Sequence, residues 1–124
     1  MEVRGGSGHW VSIGERAWHI ETVWHAAQGM PVEEIPVAAI REIDEDCWFK
    51  GGAATVRAVV QHARQIQEAD LSLPIILSSD GQVLDGMHRI AKAVLSGYAT
   101  VSAQRLSCDP DPDWWLPGRA PGRL

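Results

Sequence analysis

The sequence predicts a small α+β domain in which a mixed β-sheet is flanked by helices. Three observations carry that prediction. The segments Val56 to Ala69 and His88 to Leu95 repeat apolar residues at helical spacing, whereas "PIILSSDGQVLDG" reads as a hairpin about Asp80-Gly81. Thr100 to Leu106 then alternates as a closing strand. With 124 residues the chain fits one domain with a sizeable core.

The elements follow in order. Residues 1–12 begin with a Gly/Ser-rich stretch and are expected to be a flexible N-terminus. Ile13, Ala17, Ile20, Val23, Trp24 and Ala27 recur at helical spacing, so a first helix is expected from Ile13 to Ala27, closed by Gly29 and Pro31. "EEIPVAAIREI" suits a strand running into a short helix or turn, and Pro36 argues against a central strand position. Thr55 is the expected N-cap of the next helix, whose apolar stripe reads Val56, Val59, Val60, Ala63 and Ile66. Pro74 stops that helix before the hairpin. In the helix from His88, Ile90, Ala91, Val94 and Leu95 are expected to face inward, with Gly97 as the C′ residue. Residues 13–106 form the expected domain. Residues 107–124 are a Pro/Gly-rich tail expected to hold little regular structure.

Charge and cysteine usage narrow the function classes. Eleven Lys+Arg against sixteen Asp+Glu give a formal charge of -5. That disfavours a general nucleic-acid binder, which needs a basic face to displace counterions. Cys47 and Cys108 belong to no CxxC pair and read as reduced thiols. With no signal-peptide pattern and no long apolar run, the expectation is a cytoplasmic protein without a membrane partner.

The chemistry concentrates in "VLDGMHRIAKAVLSG", Val83 to Gly97. A strand ending in Asp85 and a turn at Gly86 would leave the amide groups of Gly86, Met87, His88 and Arg89 at a helix N-terminus, where anions are favoured. Arg89 could add a bidentate fork to phosphate, and Lys92, at i+4 from His88, could reach the same anion. His88 could exchange a proton near neutrality, whereas Asp85 could orient it, act as a base or hold Mg²⁺. The same residues also fit a plain N-cap with a surface ion pair. Glu42, Asp44 and Glu45, clustered ahead of Cys47 and Trp48, are candidates for an activating acid, or else a solvated turn. Trp48 is a candidate wall for a base or substrate. Trp18 and Trp24 read as core. His9, His19, His25 and His62 form no ligand set by spacing.

The whole stretch "PIILSSDGQVLDGMHRIAKAVLSGYATVSAQRL", with "EEIPVAAIREIDEDCWF" upstream, resembles the ParB/sulfiredoxin-like superfamily over about residues 32 to 106. The resemblance implies that superfamily's small mixed sheet, with nucleotide phosphates held by Gly86, Met87, His88 and Arg89. Its members include peroxiredoxin-repairing sulfiredoxins, CTP-hydrolysing partitioning proteins and small serine kinases. Met87 stands where sulfiredoxins carry their nucleophilic Cys, and a thioether cannot attack a phosphoryl group. Partitioning proteins add a helix-turn-helix that residues 107–124 do not supply. The kinase-like members match best at "DGMHR", where Asp85, His88 and Arg89 carry over.

The expectation is therefore a nucleotide- or phosphate-binding domain. It would take ATP, ADP or CTP with Mg²⁺, and as an enzyme would transfer phosphoryl to a small-molecule acceptor or hydrolyse the nucleotide. A nuclease-like or partitioning-associated nucleic-acid role is one alternative, and a non-catalytic protein-interaction module is another. A homodimer is compatible with each.

Overall fold

Two sheets and three helices make up the α+β fold of this computed structural model, which describes residues 9–49 and 51–117. The Gly/Ser-rich residues 1–8 and the last tail residues, 118–124, lie outside the described residues.

The N-terminal segment corrects the first helix expectation. Strands β1 (Trp10–Ile13) and β2 (Arg16–His19) form an antiparallel hairpin, and helix α1 covers only Ile20–Ala27. Gly14, at φ 60, makes the turn, a conformation that costs glycine little. Helical spacing across residues 13–19 lost to sheet pairing because β2 is bonded on both edges. Its second partner is β7 (Trp114–Trp115), inside the tail expected to lack regular structure.

That tail is tied down by its polar groups. Trp18 Nε1 donates to the Pro110 carbonyl at 2.9 Å, and Arg16 meets Asp109 at 3.0 Å. Asp109 also accepts from the Ser79 amide at 2.8 Å. The Asp113 carboxylate accepts from the His19 amide at 2.9 Å and from the Thr22 hydroxyl at 2.8 Å, closing the start of α1.

The second sheet runs β3 (Glu33–Pro36), β6 (Thr100–Arg105), β4 (Ile75–Leu77), β5 (Val83–Asp85). Only β4 and β6 pair in parallel. Pro36 lies on edge strand β3, and two 3-10 turns, Val37–Ala39 and Arg41–Asp44, follow it as the sequence suggests. Ile75, Ile76 and Leu77 are all buried because the sheet is covered on both faces. Ile76 joins Trp18, Ile20, Val23, Leu84 and Leu106 on the α1 side. Ile75 and Leu77 join Ile90, Val101 and Ala103 on the side of helix α3 (Met87–Leu95). Gln104, buried in β6, donates to the Ala27 and Met30 carbonyls at the end of α1.

Helix α2 (Val56–Glu68) starts at the expected cap, with the Ala58 amide bonded to Thr55 Oγ1 at 3.1 Å. Of the expected apolar stripe only Ile66 turns inward. Val56, Val59 and Val60 are exposed, whereas the half-buried residues are Ala58, His62 and Ile66, four apart along one face. The inward face of α3 is likewise Arg89, Ile90 and Ala93, with Val94 and Leu95 exposed. In both helices a polar partner, His62 or Arg89, occupies the face that apolar spacing assigns elsewhere. Gly97, at φ 78, ends α3 as expected: its amide bonds Val94 and that of Tyr98 bonds Ala93.

Candidate functional site

Strand β5 ends at Asp85 and α3 begins two residues later, so Gly86 alone makes the corner. It sits at φ 121, and a Cβ there would lie 2.5 Å from Ile75 Cγ2. Only glycine fits this approach of turn to sheet. No side chain caps the N-terminus of α3. Gly86, Met87 and His88 border a cleft of about 620 Å³ between this corner, the β1 strand and the acidic segment ahead of Trp48. Glu42, Glu45 and Asp85 also line it; Asp44, Arg89 and Lys92 do not. The volume is in the range of small-molecule sites.

The "DGMHR" turn therefore splits into two parts. Arg89 is 4% exposed and points into the body. Its Nη2 lies 3.0 Å from Asp85 Oδ2, and its Nη1 donates to the Pro74 carbonyl at 2.7 Å and, more weakly, to that of Leu73 at 3.4 Å. Trp24 Nε1 donates to the same Asp85 oxygen at 3.0 Å. Asp85 and Arg89 thus latch helix to strand, and the fork expected on phosphate instead holds the chain leading into β4. Lys92 Nζ donates to the Gln67 and Ala69 carbonyls at 2.9 and 2.8 Å. There it caps the C-terminus of α2, where the helix dipole favours a cation.

The acids separate as well. Glu42 accepts from the Val83 amide at 2.8 Å, pinning the acidic segment to β5. Glu45 faces Arg41 across 4.0 Å on the exposed surface. Asp44 is exposed. Asp46, also in the cleft lining, accepts from the Phe49 and Gly51 amides and shapes the turn carrying Trp48.

The cleft's most specific feature is a histidine pair. His88 Nε2 and His62 Nδ1 are 2.8 Å apart, their rings inclined by only 18°. Trp48 lies over both, with centroids 4.5 Å from His62 and 4.8 Å from His88. Phe49 meets His62 edge-on. Burial, then the neighbouring His62 and Arg89, lower the His88 pKa to about 4, and Asp85 only partly opposes them. The ring is therefore neutral at pH 7. His62 is the residue that sequence reasoning passes over: it lies 26 positions from His88, and no motif or shared helix face links them.

No helix among the described residues is long and apolar enough to cross a membrane. Cys47 and Cys108 are both thiols. Among the described residues no three His, Cys, Asp or Glu side chains are grouped to hold a metal ion. Asp85, the expected Mg²⁺ ligand, is a poor fit because its Oδ2 already accepts from Arg89 and Trp24. No known protein family, curated protein or solved structure matches the chain.

Proposed function

We propose that the cleft at the start of α3 binds a phosphorylated small molecule, a nucleotide such as ATP, ADP or CTP being the leading class. The observation that carries this reading is the uncapped N-terminus of α3, opening at Gly86, Met87 and His88 into a cleft large enough for such a ligand. Amide groups there are donors without partners in the helix, and the dipole favours an anion. Trp48 supplies an aromatic wall. The ParB/sulfiredoxin-like resemblance of the turn agrees with the reading.

The rest of the lining shapes the ligand. Glu42, Glu45 and Asp46 favour hydroxyl or amine functions on the part of the ligand that lies away from its phosphates. Phosphoryl transfer to a hydroxyl acceptor is the chemistry that such an arrangement would serve, with Glu45 an exposed acid in the lining. Since Asp85 does not fit Mg²⁺, no step is assigned to a metal there.

Equilibrium binding of radiolabelled ATP, ADP and CTP, with and without Mg²⁺, tests the proposal on wild type and His88→Ala. Saturable binding to wild type, weakened in the variant, is expected. If wild type binds none of the three, nor inorganic phosphate, the reading fails.

A further inference from the structure

We propose that His62 and His88 form a two-imidazole proton relay, carrying a proton from a ligand hydroxyl in the cleft to the outer side of α2. The proposal extends the ligand-binding reading by naming how the site would activate a hydroxyl-bearing acceptor.

The geometry confines the pair to two neutral arrangements. Across the 2.8 Å contact one nitrogen must donate and the other accept. If His88 Nε2–H donates, His88 Nδ1 is a bare lone pair and His62 carries its own proton on Nε2. If His62 Nδ1–H donates, His88 is protonated on Nδ1 and His62 Nε2 is bare. Neither outer nitrogen has another hydrogen-bond partner among the described residues. His88 borders the cleft, and His62 lies half-buried on a helix whose other residues are largely exposed.

Passing from the first arrangement to the second moves one proton. The ligand O–H bond breaks, its electron pair stays on oxygen, and the proton forms an N–H bond at His88 Nδ1. The bridging proton shifts from His88 Nε2 to His62 Nδ1, and the His62 Nε2 proton passes to water. The pair begins and ends neutral. That matters because a lone His88 would have to become an imidazolium, which its burial, His62 and Arg89 all oppose. The titratable and charged groups around it are His62 from α2, Asp85 from β5 and Arg89 from α3, with Glu42, Glu45, Asp46 and His9 in the cleft lining. Trp48, stacked on both rings, adds no charge and holds them nearly parallel.

Nitrogen NMR of ¹⁵N-histidine-labelled protein at pH 7 tests the relay without any ligand. Two results are expected: a scalar coupling between His88 Nε2 and His62 Nδ1, and equal fractions of the two rings protonated on Nδ1. Adding inorganic phosphate, which rewards a donor at His88 Nδ1, should raise both fractions together. His62→Gln, placed on an open helix, should stay folded by circular dichroism and lose the coupling. Unequal fractions, a missing coupling in wild type, or an imidazolium signal from His88 at pH 7 would overturn the relay. If phosphate and nucleotides leave the spectra unchanged, the binding reading fails, while coupling and equality still decide the relay.

Discussion

Asp85 and Arg89, four residues apart across the strand-to-helix corner, form a 3.0 Å ion pair whose side chains are 10% and 5% exposed. The arginine that looks most like a phosphate ligand is therefore a structural bolt between α3, the end of β5 and the Leu73–Pro74 carbonyls. Removing one partner of such a pair leaves an uncompensated buried charge, which costs about 3–5 kcal/mol. Arg89→Ala should lower unfolding free energy by that order in urea titration. Arg89→Lys should not restore it, because an ammonium lacks the fork that spans carboxylate and carbonyl. A loss below about 1 kcal/mol in Arg89→Ala would show that the latch is dispensable.

Gly86 and Gly97 both have positive φ, yet their surroundings differ. At Gly86 an alanine Cβ would meet Ile75 Cγ2 at 2.5 Å, whereas at Gly97 nothing lies within 4 Å. Gly97→Ala should cost only the left-handed backbone penalty, about 1 kcal/mol. Gly86→Ala adds steric overlap with a fully buried side chain, for a total of roughly 2–6 kcal/mol. Paired thermal melts read the contrast, and equal shifts in the two variants would contradict the close approach at Gly86.

Acid should loosen the histidine pair. The folded pKa of His88, about 4, lies below its ordinary value of 6.5, so the unfolded chain binds protons more readily. The resulting stability is present above pH 6.5 and is lost as pH falls from there towards 4. For a half-open ring the loss is about 1–2 kcal/mol after allowance for solvent screening. Urea midpoints measured between pH 7 and pH 4 should fall more in wild type than in His88→Phe. Parallel profiles would remove His88 as the cause.

The tail should behave as part of the folded unit. Asp113 closes the start of α1 through the His19 amide and Thr22 hydroxyl, and those two bonds hold its carboxyl below the usual carboxylate range. Asp113→Ala should cost about 1 kcal/mol, as loss of a helix cap does. Truncation after Cys108 also removes Asp109, the carbonyl that binds Trp18, and strand β7. The shortened chain should therefore melt well below Asp113→Ala in calorimetry. A truncated chain as stable as wild type would return the tail to the role its composition suggests.

Local sequence signals were reliable wherever one segment carried its whole reason. Thr55 capping α2, Asp80-Gly81 turning the β4–β5 hairpin and Gly97 ending α3 each depend on a few neighbouring residues. The α+β class and the corner at Gly86 follow from the same kind of signal. Helical spacing misled between Ile13 and His19, where pairing with β1 and with Trp114–Trp115 outweighed it. That partner is nearly 100 residues distant, Arg16 pairing with Trp115, and no local pattern announces it.

The meeting of a helix N-terminus with a strand end is written locally, in Asp85, Gly86 and the apolar run after them. What each polar residue of the turn does depends instead on partners brought up by distant segments. Arg89 and Asp85 turned inward because the Leu73 and Pro74 carbonyls and the Trp24 indole needed partners within reach. His88 was left at the cleft, and its 2.8 Å contact with His62 exists because α2 packs beside α3 under Trp48. Hydrogen bonds between distant segments depend on how helices pack, and that packing is settled by the whole core.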